Sequence, residues 1–271
     1  MSREDNLKVF EDTVSIYSNK YKEDIAYSDQ YTQVIPEGKP ISLVLPDDLR
    51  KAPEVEVIQS KTFDAARKYE GKVAAINFAS ATTPGGGVTK GATAQEECLC
   101  RSSTLYATLS NKRCWDEFYK PHRDKLNALH NDDIIWTPDV VVFKDDDYNL
   151  LDEPKKISVI TCAAPNLREK NVDMFNVDKP LEEVISDDEL FEIHVKRAER
   201  IFRVAEKKGV ETLIAGAFGC GAFRNNPEVV AKAWKVASQE FEGSNLKKIV
   251  YAIYDGPYSN NFEVFKKIFE L

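Results

Sequence analysis

Val73-Ala74-Ala75-Ile76-Asn77-Phe78 runs into Pro84-Gly85-Gly86-Gly87-Val88-Thr89-Lys90-Gly91, and then into Thr93-Ala94-Gln95-Glu96-Glu97. An apolar run bounded by turn residues suits a strand covered on both faces, as in parallel sheets. The order strand, glycine-rich loop, helix returns at residues 212–216, at Gly216-Ala217-Phe218-Gly219-Cys220-Gly221-Ala222-Phe223-Arg224-Asn225-Asn226, and from Pro227 onward. Working outward, further strands are expected at 54–59, 134–136, 140–143, 157–162 and 248–254. Helices are expected at 63–69 (capped by Thr62, stopped near Gly71), 94–109, 187–208 (Ser186 cap, Gly209 stop), 227–241 and 262–269. Strands alternating with helices predict an α/β fold around a mixed, largely parallel sheet. In such sheets ligands sit outside the carboxyl ends of the strands, where both glycine-rich loops fall.

The N-terminal stretch places Leu7, Phe10, Val14 and Tyr17 on one face of an amphipathic helix, with Ser2 and Asp5 marking its start. Residues 19–53 are polar and broken by Pro36, Pro40, Pro46 and Pro53, so they read as a wrapping segment with a short strand near 41–45. No internal repeat or low-complexity linker interrupts the chain. Residues 1–53 are therefore expected as a helical extension packed on a core of 54–271, one structural domain overall.

The 271 residues are 42% hydrophobic, enough for a sizeable core, which excludes disordered and fibrous classes. Thirty-seven basic against 45 acidic residues leave a net charge of −8. That balance argues against non-specific nucleic-acid binding, but not against a small anion held by neutral groups. Five cysteines without framework spacing, and no signal-like or membrane-length apolar run, point to a reduced, cytoplasmic protein. Cys98 and Cys100 lack a second pair at zinc spacing, so no metal is expected.

The chemistry concentrates in the two loops. Three successive glycines can adopt positive φ and bring their amides around phosphate or ribose oxygens, although a flexible turn has the same composition. Thr93 and Glu96 have capping-box spacing, so Glu96 reads either as a cap or as a site residue. Glu97 has no capping role and needs another explanation. Adjacent carboxylates suit glycosidic chemistry, in which an acid protonates a leaving oxygen. The helix dipole would lower such a pKa, whereas mutual repulsion and desolvation would raise it. In the second loop, alternating glycines can form a nest of amides for a diphosphate, with Phe218 and Phe223 as flat surfaces for a ribose or base. A tight turn with two core phenylalanines is the alternative. Cys220 has no histidine near it in sequence and makes a poor nucleophile candidate.

Together these residues resemble the microbial-type poly(ADP-ribose) glycohydrolases, a branch of the macrodomain superfamily. Gly85-Gly86-Gly87, seven residues and Gln95-Glu96-Glu97 match the family signature. The second loop resembles the family's diphosphate loop, with Phe218 where many relatives carry tryptophan. The likeness extends to Val140-Val141-Val142-Phe143-Lys144-Asp145-Asp146, to Ala163-Ala164-Pro165-Asn166 and to the His194-x-x-Arg197-Ala198 helix.

The resemblance implies a macrodomain-like three-layer α/β/α sandwich that hydrolyses ribose–ribose O-glycosidic bonds of poly(ADP-ribose) on modified proteins and releases ADP-ribose. It implies Glu97 as general acid and base, Glu96 on ribose hydroxyls, Gln95 ordering the helix start and Asn77 at the ribose. It further implies that Gly219, Cys220, Gly221 and Ala222 offer amides to the diphosphate, with Phe223 packed on the ribose. No cofactor is required, and a monomer is expected. The alternatives are a non-catalytic ADP-ribose reader and a mono-ADP-ribosyl hydrolase. His122 and His130, in a polar region, are expected to be solvated, His194 to be a surface or packing residue, and Asp145-Asp146-Asp147 to be a solvated turn.

Overall fold

Short apolar runs become buried strands, and the polar segments between them become helices and turns. The computed structural model describes residues 1–43, 48, 50–168, 184–257 and 259–271. The strands are β1 (Gln33–Ile35), β2 (Glu54–Gln59), β3 (Val73–Phe78), β4 (Ile134–Lys144), β5 (Leu150–Cys162), β6 (Thr212–Ala215) and β7 (Lys248–Ile253). The helices are α1 (Arg3–Lys20), α2 (Lys22–Tyr31), α3 (Thr62–Ala66), α4 (Gln95–Ser102), α5 (Leu105–Leu109), α6 (Lys112–Cys114), α7 (Lys120–Lys125), α8 (Asp187–Lys207), α9 (Pro227–Glu240) and α10 (Asn261–Phe269). The strand order is β1-β4-β5-β3-β6-β7-β2. Strands β3, β6, β7 and β2 pair in parallel, while β4 pairs antiparallel with β1 and with β5. The mixed, mostly parallel sheet expected from the sequence is therefore present.

The chain gathers into two compact units, Met1–Glu37 with Asn77–Leu181, and Gly38–Ile76 with Glu182–Leu271. In the first unit, α1 opens with a capping box between Ser2 and Asp5 and buries Asn6, Phe10, Thr13 and Tyr17. Leu7 and Val14 are half-buried at the margin of that face. Phe10 meets Tyr106 edge-on at 5.0 Å, and Tyr21 stacks on Phe143 at 5.1 Å. The Asn6 side-chain amide donates to the Gly91 carbonyl at 3.1 Å, and Thr13 Oγ1 donates to the Arg101 carbonyl at 2.5 Å. The first helix thus grips both the end of the glycine-rich loop and the far end of α4.

In the second unit, α8 starts on a capping box between Ser186 and Glu189, and α9 starts on Asn226 with Pro227 in its first turn. Trp234 is fully buried, with Phe202 at 5.8 Å, Phe218 at 5.6 Å and Tyr251 at 6.1 Å. These rings fill the space over β6 and β7, whose residues are almost all buried, as befits parallel strands.

Several local expectations are corrected. Residues 19–53 are not merely a wrapping segment, because α2 and β1 lie within them. Residues 41–43 form no strand, and residues 44 and 45 of that expected strand lie outside the described residues. Lys61 rather than Thr62 caps α3, which ends at Ala66 instead of running to 69. The helix expected over 94–109 breaks at Ser103 and Thr104, where Ser103 bridges to Val142 and the Thr104 amide bonds to the Val141 carbonyl. The two strands expected at 134–136 and 140–143 are one strand with a register shift between Thr137 and Val140. Pro138 has no amide to donate and Asp139 sits at φ +50°, so the extra residues bulge without ending the strand.

Gly91 tests the grip of α1. Its φ is +72°, and a Cβ there would run into the Arg3 carbonyl. Gly91→Ala is expected to lower stability by about 1–3 kcal/mol, read as an earlier urea-unfolding midpoint. An unchanged midpoint would show that α1 does not press on this loop.

Candidate active site

Strand β3 carries Asn77 into the interior of the first unit, where it is fully buried. The loop that follows turns at Gly85 (φ +65°) and Gly86 (φ +56°), closed by hydrogen bonds from the Gly86 amide to the Thr83 carbonyl and from the Val88 amide to the Gly85 carbonyl. Helix α4 then begins at Gln95 with no side-chain cap. Of the two readings of Glu96, the capping box with Thr93 does not form. Glu96 turns inward instead, its Oε1 accepting from Asn77 Nδ2 at 3.1 Å and its Oε2 from the Ser80 amide at 2.7 Å. The Gly85 amide also donates to this carboxylate. Several buried donors hold a carboxylate better than one solvated amide at a helix end.

Glu97 explains the glycines. Its Oε1 accepts from the Gly87 amide at 2.7 Å. A Cβ on Gly86 would lie 2.5 Å from that same oxygen and 3.1 Å from Glu96 Oε2. The loop therefore spends amides on the two carboxylates and keeps side chains out of their way. Gln95 ties helix to strand, its Oε1 accepting from the Phe78 amide at 2.9 Å. Glu97 Oε2 and Asn77 Oδ1 are buried and have no hydrogen-bond partner among the described residues.

The electrostatics follow from this burial. Glu96 and Glu97 are only 2% and 6% exposed. Burial, then the charge of Glu97, pushes the Glu96 pKa up to about 8. Burial also raises Glu97, against the Gly87 amide and the Arg101 guanidinium, which favour its charged form. Desolvation thus outweighs the helix dipole. Two buried, adjacent carboxyls cannot both ionise at low cost, so the pair keeps a proton near neutrality. Glu96 is the carboxyl raised to about 8, so the proton belongs to the pair rather than to one residue, and the hydrogen bonds show which oxygen is open to it. Glu96 Oε1, Glu96 Oε2 and Glu97 Oε1 each accept an N–H, whereas a proton on Glu97 Oε2 displaces no donor.

Sequence reasoning passed over Arg101. It is fully buried, donates from Nη1 to the Ala92 carbonyl at 2.6 Å and from Nε to Tyr148 Oη at 2.9 Å. Its place one helical turn after Glu97 was a readable signal, since i and i+4 share a face.

In the second unit, the loop after β6 sorts its residues more finely than the sequence suggested. Phe218 is fully buried against His194 (6.0 Å) and Trp234, so it packs the core; Phe223 is half-buried. The Cys220 amide turns back to the Ala217 carbonyl at 3.1 Å. The amides of Gly219 (φ +80°), Gly221 and Ala222 have no partner among the described residues. Unpaired backbone donors in one short loop are a ready anion cradle. Burial pushes the Cys220 thiol well up, which removes it as a nucleophile.

The histidines are also corrected. His122 and His130 are buried rather than solvated: the helical run 112–125 carries His122 inward, and a turn closed by the His130 amide on the Asn127 carbonyl follows it. His122 bonds to the Phe118 carbonyl and to Asn131 Oδ1, both at 2.8 Å, and His130 to the Ala164 carbonyl at 2.7 Å. His194 is a fully buried packing residue. Asp145 closes a turn by accepting from the amides of Asp147 and Asn149. Among the described residues no cluster of three or more His, Cys, Asp or Glu could hold a metal, and no helix is long and apolar enough to cross a membrane.

The carboxylate pair makes a sign-definite prediction. Both folded pKa values are raised above the usual 4.5, so burying the pair costs little below that pH and progressively more as pH rises through about 8. Glu97→Gln keeps an acceptor for the Gly87 amide and removes one charge. Its melting temperature should exceed that of the wild type near pH 8, with a much smaller gain near pH 5. A gain that does not depend on pH would contradict the shared proton.

Comparison with known proteins bears directly on this geometry. A family model described as "Microbial-type PARG, catalytic domain" matches residues 7–145. The poly(ADP-ribose) glycohydrolase of Thermomonospora curvata superposes with a TM-score of 0.83 at 28% identity, covering 98% of this chain and 100% of that one. The same enzyme bound to the inhibitor ADP-HPD gives 0.81 at 29%, covering 97% and 99%. The poly(ADP-ribose) glycohydrolase of Deinococcus radiodurans in complex with ADP-ribose gives 0.74 at 29%, covering 91% and 96%. No curated protein matches. The macrodomain-like fold and the family model agree, and the chain belongs to the microbial-type PARG catalytic-domain family of poly(ADP-ribose) glycohydrolases.

Proposed function

We propose that this chain hydrolyses ribose–ribose O-glycosidic bonds of poly(ADP-ribose) with Glu97 as the general acid and base. The observation that carries this reading is Glu97 Oε2, a buried carboxyl oxygen with no partner among the described residues, in a pair whose pKa values burial raises. As the glycosidic C–O bond breaks, its electron pair goes to the leaving ribose oxygen, which takes the proton from Glu97 Oε2. An oxocarbenium-like sugar forms, stabilised by the substrate's own diphosphate. Water then adds to the anomeric carbon and gives a proton back to Glu97, which restores the pair.

Glu96, held by Asn77 and Ser80, presents a fixed acceptor for ribose hydroxyls, and Asn77 Oδ1 supplies a second acceptor. The diphosphate is taken by the free amides of Gly219, Gly221 and Ala222, with Phe223 against the ribose. Gly85, Gly86 and Gly87 serve by holding the carboxylates, and Gln95 by locking α4 to β3. Phe218 and Cys220 support this loop from within. We further propose a cytoplasmic monomer without a cofactor, one catalytic domain whose core spans 54–271, acting on polymer attached to proteins. The five cysteines, all free, support a reducing compartment.

The test is release of ADP-ribose from labelled polymer. Glu97→Gln should lose roughly 10²–10⁴-fold in rate, the usual worth of a general acid, while calorimetry still detects ADP-ribose binding. Undiminished release by that variant would remove Glu97 from the chemistry. Wild-type turnover should fall as pH rises through about 8, where the pair loses its proton. A rate still rising there would mean that no acid is needed.

A further inference from the structure

We propose that His194 and Asn225 are positioning residues for the diphosphate loop, fixing its free amides through one defined imidazole tautomer. The inference rests on the reading that Gly219, Gly221 and Ala222 bind the diphosphate. His194 lies fully buried on α8, ten residues or more from any residue of that loop in sequence. Trp234 Nε1, which can only donate, lies 3.3 Å from His194 Nδ1. Nδ1 is therefore the acceptor, and in the neutral ring the proton sits on Nε2. That proton is donated to Asn225 Oδ1 at 2.9 Å.

The consequence passes directly to the loop. With Oδ1 facing the imidazole, the Asn225 side-chain amide must face the other way. Its Nδ2 donates to the Gly219 carbonyl at 3.1 Å and to the Phe223 carbonyl at 3.2 Å. The Asn225 main-chain amide adds a bond to the Gly219 carbonyl at 3.0 Å. One side chain thus staples both ends of the segment that contains the free amides. If the imidazole carried its proton on Nδ1, a donor would face the indole N–H and Asn225 would lose the bond that orients it. Burial, with the nearby Arg197 charge acting in the same direction, lowers the His194 pKa to about 4, so the neutral ring persists at working pH. Phe218, packed edge-on to the ring, closes the network from above.

Three measurements test this. Nitrogen-15 NMR of the wild-type protein near pH 7 should show His194 as the neutral Nε2–H tautomer; a charged ring or the Nδ1–H tautomer would overturn the inference without any variant. Steady-state release of ADP-ribose from polymer and calorimetry with ADP-ribose should then be run on His194→Leu, His194→Gln, Asn225→Asp and Ala222→Pro. Loss of the staple in His194→Leu and Asn225→Asp should raise KM and the ADP-ribose Kd by about tenfold or more with kcat largely kept. His194→Gln, which retains a donor for Asn225, should recover most of that loss. Equal falls in kcat and affinity, or unchanged affinity in His194→Leu while Ala222→Pro weakens binding, would overturn the positioning role. Unchanged binding in Ala222→Pro would instead remove the diphosphate reading of the loop, and this inference with it.

Discussion

Two neighbouring carboxyls, Glu96 and Glu97, lie in the interior of the first unit, and their burial is the constraint around which that unit is built. Desolvating a single carboxylate is expensive, and desolvating two side by side is more so unless one stays protonated. The chain meets the cost with amide donors drawn from the end of β3 and the loop after it. Ser80, Gly85 and Gly87 supply main-chain N–H groups, and Asn77 supplies a side-chain one. Those donors leave Glu97 Oε2 as the carboxyl oxygen of the pair without a partner among the described residues. A proton shared by the pair can occupy that oxygen, and leave it, without breaking an internal hydrogen bond.

The glycine-rich loop is commonly thought of as a phosphate cradle, and its composition permits that. Here its amides turn toward protein carboxylates. Gly86 has positive φ and no room for a Cβ beside Glu97, so glycine is required by the carboxyl pair itself. The N-terminal helix belongs to the same construction. Asn6 holds the Gly91 carbonyl and Thr13 holds the Arg101 carbonyl, which fixes the loop at one end and α4 at the other. This bracing holds the backbone that carries Glu97, which the proposed acid role requires to be placed within about an ångström.

Much of this was legible in the residues. The six-residue β3, the second loop's glycines and the Gln95-Glu96-Glu97 turn could be read because short-range pattern and function coincide there. Helix α2 escaped because its only fully buried residue is Ser28, so no apolar stripe marks it. The first half of β5 escaped because Leu150–Lys156 is mostly exposed and polar, stabilised by pairing with β4 rather than by burial. The Thr93–Glu96 capping box was a sound local inference overridden by long-range donors at Asn77 and Ser80. His122 and His130 depart from the solvated reading for the same reason, and Phe218 takes the core reading of its two, since their surroundings are set by residues distant in sequence. Net charge was informative in a narrower way. At −8 the chain has little long-range hold on a polyanion, which leaves selection to contacts with individual units.

The shared proton is the claim on which the chemistry turns, and carboxyl carbon-13 NMR measures it directly. Glutamate labelled at Cδ, with Glu96→Gln and Glu97→Gln used for assignment, reports the ionisation of each carboxyl across pH. The structure predicts that the pair retains one proton at pH 7 and releases it only as pH rises through about 8. Two carboxyls both fully ionised by pH 6 would contradict it.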